Sequence, residues 1–409
     1  MYKYLLIVSI ALWTCDISIA KQDSGKENLQ VVENKDSISN KNANREENLN
    51  AFSKVNDKKL LLYIGTYTDT KSKGIYLAKF DVNSGMISTP ELAASINNPS
   101  FQCISADKKQ LWSVNEAAKG MGQIVGFKIN QKDGGLRKLA TYSSEGSAPC
   151  YIAYDNVGNS VLAANYSSGN FIRLAVNKDG IAKGVMSNHQ HEGSGPNKDR
   201  QRSPHAHSVS IDLNGKYAYS CDLGADKIYV YDLAKDGLSV HTTIKAAPGS
   251  GPRHIAFQPG NKAMSVVHEL NNTITTYLPD KNGCFTILKS VISALPSSYT
   301  GKSKCAEIHY SPNGHFLYAS NRGHNSIVIC KVNQKTMELK VVGWMKEAIN
   351  WPRNFIIDPS GKFLIVANKN GDNITVYKIN QKTGLLKYTG YEAEVSEPVC
   401  LTFLSLNKD

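Results

Sequence analysis

The chain has 409 residues, a formal net charge of +12 and 41% hydrophobic residues, which is enough to bury a sizeable core. The basic residues are dispersed, and neither a run of five or six of them nor an aromatic-basic signature supports nucleic-acid binding. No long segment has the 3.6-residue hydrophobic period of a helical domain, and a basic surface favours a small anionic substrate through its field.

The first twenty residues are typical of an export signal. Lys3 supplies the positive charge, residues 5–13 form a short apolar run, and Ser18-Ile19-Ala20 fits a small-x-small cleavage site. The apolar run is too short to span a bilayer. We therefore expect a signal peptide over residues 1–20 and a periplasmic or cell-surface protein.

A polar linker is predicted over residues 21–59, which are rich in Asn, Lys, Glu and Ser and lack periodicity. Such a linker suits a lipoprotein anchored through Cys15. Trp13 and Thr14, however, occupy positions where a lipid-attachment motif has small residues. Lipid attachment at Cys15 and cleavage after Ala20 both stay open.

From residue 60 to residue 409 the chain repeats one unit every 46 to 57 residues. Each copy has an opening residue, a strand, a turn, and a second strand ending sixteen residues after the opening. The openings lie at 99, 149, 206, 252, 305, 352 and 398, and the second strands end at Asn115, Asn165, Asp222, His268, Asn321 and Asn368. We interpret these Asn side chains as structural, because Asn bonds nearby backbone.

The seventh copy is split between the two ends of the chain. Its first strand follows Pro398, and its second strand, residues 61–68, places Thr66 at the end marker. Repeats of this length with several short strands are typical of propellers. The sequence therefore predicts an all-β, seven-bladed β-propeller whose ring closes by pairing N- and C-terminal strands in one blade, which also removes exposed sheet edges.

Two positions of each repeat should meet at one channel mouth, because the loop entering the first strand and the loop leaving the second open on the same face. The first mouth position follows the opening residue and reads Ser100, Cys150, His207, Arg253, Ala306, Arg353 and Val399. The second follows the end marker and reads Tyr67, Glu116, Tyr166, Leu223, Glu269, Arg322 and Lys369.

One arc of this mouth combines several cations with one carboxylate: His207, Arg253, Glu269, Arg322, Arg353 and Lys369. Such a set suits an anionic substrate or a reaction that generates negative charge on oxygen. Glu269 should stay ionised among cations, and His207 could carry a proton near neutral pH. Taken singly, each residue could equally bridge neighbouring blades.

An insertion at residues 188–208 carries the histidines His189, His191, His205 and His207 and the arginines Arg200 and Arg202. Four histidines allow a metal site, but no Asp or Cys completes a clear ligand set. We favour a loop that covers the mouth and contributes His and Arg to an anion site. The seven cysteines after Cys15 are scattered, so small buried side chains are favoured over disulfides.

Several segments resemble the 6-phosphogluconolactonase-type seven-bladed β-propeller lactonases, whose relatives include cycloisomerase-2 and carboxymuconate-lactonizing enzymes. The resemblance covers about residues 60–405 and rests on IGTYT (64–68), HEGSGPNKDRQRSPHAHSV (191–209), DLGADKIYVY (222–231), GPRHIAFQP (251–259), HEL (268–270), SNRGHNSI (320–327) and WPRNFIIDPSGKFLIVAN (351–368). It implies metal-independent chemistry on a lactone, with catalytic residues His205 or His207, Arg253, Glu269 and Arg322. The repeat alignment favours His207.

The leading hypothesis is hydrolysis of a sugar lactone without a cofactor. Glu269 or His207 would be the base, and Arg253 and Arg322 would stabilise the oxyanion. Further substrate-binding candidates are His205, Arg202, Arg353 and Lys369. We expect a monomer that takes a small anionic lactone or sugar acid and no nucleic acid.

Two alternatives stay open. One is a non-catalytic exported propeller that binds an anionic glycan or protein, since fold alone does not give function. The other is a metal-dependent lactonase that uses the histidine-rich insertion. Motifs for nucleotide binding or a serine nucleophile are absent from the sequence.

Overall fold

The computed structural model describes residues 59–117, 120–177, 179–233 and 237–406. These residues form seven four-stranded antiparallel sheets, and within them the one helical element is a 3-10 turn at Lys369–Gly371. The predicted all-β, seven-bladed propeller is confirmed. The predicted signal peptide and residues 21–58 of the predicted linker lie outside the described residues. Within the described part of the chain, no helix is long and apolar enough to cross a membrane.

Each sheet is one blade, with its first strand at the channel and its fourth at the rim. The strands are β1 (Lys59–Thr66), β2 (Gly74–Asp81) and β3 (Glu91–Ser95) in blade 1; β4 (Gln102–Ile104), β5 (Gln110–Asn115), β6 (Gln123–Ile129) and β7 (Leu136–Ser143) in blade 2; β8 (Pro149–Asp155), β9 (Ser160–Asn165), β10 (Asn170–Val176) and β11 (Ala182–Gln190) in blade 3; β12 (Ala206–Ile211), β13 (Tyr217–Asp222), β14 (Lys227–Asp232) and β15 (Ser239–Lys245) in blade 4; β16 (Pro252–Phe257), β17 (Met264–His268), β18 (Thr273–Pro279) and β19 (Phe285–Ser293) in blade 5; β20 (Lys304–Tyr310), β21 (Phe316–Arg322), β22 (Ser326–Val332) and β23 (Leu339–Met345) in blade 6; β24 (Pro352–Ile357), β25 (Phe363–Asn368), β26 (Asn373–Ile379) and β27 (Leu386–Glu394) in blade 7; and β28 (Pro398–Leu404), which is the channel strand of blade 1.

The ring closes through β28 and β1, as predicted. These strands pair antiparallel from Leu61 opposite Leu404 to Thr66 opposite Pro398. The channel strands β28, β4, β8, β12, β16, β20 and β24 each contact the channel strands of both neighbouring blades, which completes the circle. Residues from opposite ends of the chain therefore share one sheet.

The sixteen-residue spacing read from the sequence corresponds to direct pairs in the sheets. Opening and end residues lie opposite each other as Pro149–Asn165, Ala206–Asp222, Pro252–His268, Cys305–Asn321, Pro352–Asn368 and Pro398–Thr66. In blades 1, 3, 4, 5 and 7 the ladder then skips one residue of the channel strand. This residue is the first mouth position. A β-bulge redirects the extra residue out of the ladder, so the bulges aim these side chains.

Asn side chains at the ends of second strands join neighbouring blades. Their Nδ2 atoms donate to main-chain carbonyls at the end of the preceding blade: Asn165 to Ser144 (2.8 Å), Asn321 to Ala294 (3.0 Å) and Asn368 to Ala348 (3.2 Å). The structural role predicted for these three residues is confirmed. The bonds satisfy buried backbone acceptors between blades.

The core lies between the blades, where the second strands are buried along their whole length in β9, β13 and β25. Seven cysteines are free thiols in the described residues, and all but Cys103 are buried. They act as small apolar side chains, as predicted from their scattered positions.

Leu401 of β28 tests how far the fold depends on ring closure. Its side chain is 5% exposed and packs with residues of β1 and blade 7. We expect Leu401→Ala to lower the free energy of unfolding by about 2–5 kcal/mol. Leu288→Ala on the rim strand β19, where the side chain is 60% exposed, should change it by less than about 0.5 kcal/mol. Urea unfolding followed by tryptophan fluorescence measures both; equal effects would contradict the assignment of Leu401 to the core.

Candidate active site

The centre of the mouth is the carboxylate of Glu269, which directly follows β17 and is 3% exposed. Its Oε2 accepts hydrogen bonds from Arg253 Nε (3.0 Å) and Arg322 Nη2 (2.7 Å). Its Oε1 accepts a hydrogen bond from Arg200 Nη2 (2.7 Å). The main-chain N–H of Glu269 donates to the carbonyl of Gly251 (2.8 Å), which places the carboxylate beside the bulge that carries Arg253. One anion thus holds three guanidinium groups.

The charge state of Glu269 follows from these contacts. Burial opposes ionisation, but Arg322 and Arg253 outweigh it and lower the pKa of Glu269 well below its usual value. The carboxylate stays charged at neutral pH, as the sequence led us to expect. Both of its oxygens already accept charge-assisted hydrogen bonds, so this carboxylate is a poor proton acceptor.

Arg200 reaches the site from the insertion that precedes β12. Its Nη2 also donates to the hydroxyl of Tyr166 (3.1 Å). Arg202, the arginine selected from the sequence, is exposed and donates its Nε to the carbonyl of Lys198, so the structure does not bring it into the cluster. The insertion has no counterpart in the other repeats, so repeat alignment cannot tell which of its arginines points inward.

His207 lies at the mouth as the repeat alignment indicated. It is buried, its ring centroid is 5.3 Å from that of His254, and its Nδ1 is 3.9 Å from Cys150 Sγ. Burial, then Arg253 and His254, lower the pKa of His207 well below 6.5. The expectation that His207 carries a proton near neutral pH is therefore corrected, because the ring is neutral there. His205 instead stacks on Tyr166 with centroids 4.5 Å apart.

A second buried carboxylate lies behind Arg253 and was missed from the sequence. Arg253 Nη1 is 3.1 Å from His254 Nε2, and because a guanidinium only donates, Nε2 must accept. The proton of His254 is then on Nδ1, which donates to Glu307 Oε1 (2.9 Å). Asn354 Nδ2 donates to Glu307, and Asn354 Oδ1 accepts from the N–H of Leu401 (3.0 Å). His254 and Glu307 each follow a first mouth position, which is the signal that could have found them.

The other arc of the mouth is built around Tyr67. Its hydroxyl donates to Glu116 Oε2 (3.2 Å), and Arg353 Cζ lies 5.2 Å from the ring centroid. Lys369 Nζ is 5.8 Å from the same centroid and forms an ion pair with Glu397 (2.8 Å). Arg353 and Lys369 therefore belong to the mouth but not to the cluster around Glu269.

The remaining histidines of the insertion lie within blades 3 and 4. His191 bonds Asp222 (Nδ1–Oδ2, 2.8 Å) and the hydroxyl of Tyr231 (2.9 Å), and His189 bonds the same hydroxyl (2.8 Å). Among the described residues, no group of three or more His, Cys, Asp or Glu side chains is arranged to hold a metal ion. The structure thus separates His189 and His191, which share Tyr231, from His205 and His207 at the mouth.

The opposite end of the channel holds a cavity of about 660 Å³ lined by turns of blades 3, 4 and 5. Its carboxylates are already engaged: Asp155 pairs with Arg173 (2.9 Å), and Asp212 accepts main-chain N–H groups. The rings of Tyr151 and His254, with centroids 5.0 Å apart, pack in the channel between this cavity and the mouth. The cationic cluster around Glu269 therefore lies at the other end of the channel from this cavity.

Residues 61–403 match the family model described as "Lactonase, 7-bladed beta-propeller". The chain belongs to this family. It is 37% identical to a 6-phosphogluconolactonase of Bacillus subtilis, over 73% of this chain and 85% of that protein. It is 34% identical to a 6-phosphogluconolactonase of Formosa agariphila, over 73% and 86%.

A solved structure of a Pseudomonas aeruginosa periplasmic gluconolactonase superposes with a TM-score of 0.81. That protein is 29% identical, and the match covers 86% of this chain and all of the other. The lactonase family predicted from sequence motifs is confirmed. The structure brings Arg253, Glu269, Arg322 and His207 of this lactonase to one mouth, and their individual roles stay predictions.

His268, next to Glu269, makes stability depend on pH. It is buried, and burial lowers its pKa from 6.5 to about 4. The unfolded chain then binds a proton more readily, so stability is lost as the pH falls from about 6.5 towards 4. Asn is the residue at the equivalent position of four other blades. Between pH 7.5 and 5.0, we expect the free energy of unfolding of His268→Asn to fall by about 2 kcal/mol less than that of the wild type. Urea unfolding at both pH values measures this, and an unchanged pH dependence would refute it.

Proposed function

We propose that this protein hydrolyses a sugar lactone at the mouth that carries Glu269, with His207 as the general base. Membership of the lactonase family, with relatives named 6-phosphogluconolactonase and gluconolactonase, supports a sugar-lactone substrate. The observation that carries the mechanism is the buried imidazole of His207, at the same mouth as a cluster of guanidinium groups fixed by one buried carboxylate. Burial and the neighbouring Arg253 lower the pKa of this ring well below 6.5, which favours its neutral, proton-accepting form.

Hydrolysis begins when His207 takes a proton from water and the water oxygen attacks the lactone carbonyl carbon. The carbonyl π electrons move to oxygen and form a tetrahedral oxyanion. Among the described residues, Arg253 Nη2 and Arg322 Nη1 have no hydrogen-bond partner, and we assign them as the donors that stabilise this charge. Collapse of the intermediate breaks the ring C–O bond, and the leaving alkoxide takes the proton from His207.

Glu269 is the positioning anion of this mechanism rather than its base. Its two oxygens already accept three charge-assisted hydrogen bonds, and its pKa lies well below the usual value. Holding Arg253 and Arg322 in place before the oxyanion forms is the form of electrostatic catalysis that needs no rearrangement during the reaction.

The proposed reaction uses no metal ion and takes place outside the cytoplasm. Metal independence is proposed because protein groups supply both the base and the oxyanion donors. Chelation with EDTA should therefore leave the rate of hydrolysis unchanged. A location outside the cytoplasm is proposed because the sequence predicts an export signal over residues 1–20 and because a similar protein is named a periplasmic gluconolactonase. Mass spectrometry of the mature N-terminus distinguishes cleavage after Ala20 from lipid attachment at Cys15.

Substitution of the base and of the positioning anion tests the mechanism on glucono-1,5-lactone, with the spontaneous rate subtracted. We expect His207→Asn to lower kcat/KM at least about 100-fold, the usual contribution of a general base. Glu269→Gln should lower it by a similar factor, because the arginines lose their alignment. The matched controls are His315→Asn and Glu338→Gln, two single substitutions at exposed residues, and each should leave the rate unchanged. No acceleration by the wild type on gluconolactone, 6-phosphogluconolactone or muconolactone would favour a non-catalytic anion-binding propeller.

The pH profile separates the two candidate bases. Because the pKa of His207 lies well below 6.5, kcat/KM for neutral glucono-1,5-lactone should stay level from about pH 8 to 6.5 and fall only at lower pH. His207→Asn should remove this acidic limb, whereas Glu269→Gln should keep it. A limb that persists in His207→Asn and vanishes in Glu269→Gln would assign the base to Glu269.

A further inference from the structure

Arg353 differs from the other arginines of the mouth in having no carboxylate partner. Arg200, Arg253 and Arg322 all bond Glu269 within 3.0 Å. Among the described residues, Arg353 forms no ion pair and no hydrogen bond, and its guanidinium lies over the Tyr67 ring. The mouth therefore contains two cationic subsites, one occupied by a protein anion and one open.

The Arg353 guanidinium lies over the Tyr67 ring. Arg353 Cζ lies 5.2 Å from the ring centroid, and the ring is fixed by the bond from its hydroxyl to Glu116 (3.2 Å). A cation–π contact of this kind does not use the hydrogen-bond acceptors of other residues, so the N–H groups of the guanidinium remain available to a ligand. These groups form a planar fork that matches the two oxygens of a carboxylate or phosphate.

The backbone beneath Arg353 is also fixed. Arg353 is the extra residue of the bulge between Pro352 and Asn354. The preceding Trp351 has a left-handed conformation (φ 56°), which is strained for a bulky residue. The N–H of Trp351 donates to Asn325 Oδ1 (3.0 Å), which helps to retain this conformation. The guanidinium is thus positioned in advance of any ligand.

Charge balance favours an anion at this position. A partly buried cation without a counter-ion is unfavourable unless water or a ligand satisfies it. Burial alone would lower the pKa of Arg353, but Tyr67 and Glu116 outweigh this and raise it, so the group remains charged. The carboxylates that act on Arg353 are bonded to other donors: Glu116 to Tyr67, and Glu269 to Arg200, Arg253 and Arg322.

We propose that Arg353 binds an anionic substituent of the lactone, a carboxylate or phosphate away from the reacting carbonyl, while Arg253 and Arg322 serve the carbonyl itself. This inference rests on the proposed function and deepens it, because it makes Arg353 the residue that selects charged over uncharged lactones. The subsite and the oxyanion donors belong to different blades, so the two recognition steps can be altered separately.

The test compares 6-phosphoglucono-1,5-lactone with glucono-1,5-lactone, which differ by one phosphate. Arg353→Gln should lower kcat/KM for the phosphorylated lactone about 10- to 100-fold, the effect of losing hydrogen bonds to a charged group. It should change kcat/KM for the neutral lactone less than about threefold. Arg353→Lys, which keeps the charge but not the fork, should fall between wild type and Arg353→Gln. Arg137→Gln, on the exposed rim strand β7, is the matched control for net charge and should affect neither substrate.

Two results would overturn the proposal while leaving the proposed function intact. One is an equal loss for both lactones in Arg353→Gln, which would place Arg353 at the reacting carbonyl. The other is no loss for either lactone, which would show that Arg353 does not contact the substrate. If the wild type accelerates neither lactone, the proposed function fails, and calorimetric binding of glucose 6-phosphate and uncharged glucose decides the subsite. Tighter binding of the phosphate compound that is lost in Arg353→Gln supports it, and equal binding refutes it.

Discussion

The pairing of β28 with β1 is the constraint on which the rest of the structure depends. It joins the two ends of the chain in blade 1 and completes the circle of channel strands. His207 comes from blade 4, Glu269 from blade 5, Arg322 from blade 6 and Arg353 from blade 7. No single blade contains the mouth, so these side chains share it because the channel strands of neighbouring blades contact one another.

Within the closed ring, the order of the mouth follows from one buried anion. Glu269 lies opposite guanidinium groups from three different segments and compensates charges that would otherwise repel one another. Each arginine also retains a nitrogen that Glu269 does not bind. The same carboxylate therefore stabilises the cluster, and in the proposed reaction it also keeps these donors in place for the oxyanion.

Much of this architecture could be predicted from the sequence, because repeats report on geometry that they share. The sixteen-residue spacing identified real strand pairs, and comparison of equivalent positions identified Arg253, Glu269, Arg322 and His207 as neighbours. The features that could not be predicted are those that the repeats do not share. Arg200 lies in an insertion without equivalents, so alignment could not orient it. The protonation state of His207 depends on burial and on surrounding charges, which a sequence pattern does not contain.

The hydrogen bonds behind Arg253 connect the mouth to the strand that closes the ring. They run from Glu269 through Arg253, His254, Glu307 and Asn354 to the main chain of Leu401 in β28. The same strand pairs with β1, so it takes part both in ring closure and in this support. Proteolytic removal of β28 would therefore break the sheet of blade 1 and withdraw a hydrogen bond from the groups behind the mouth in a single cut.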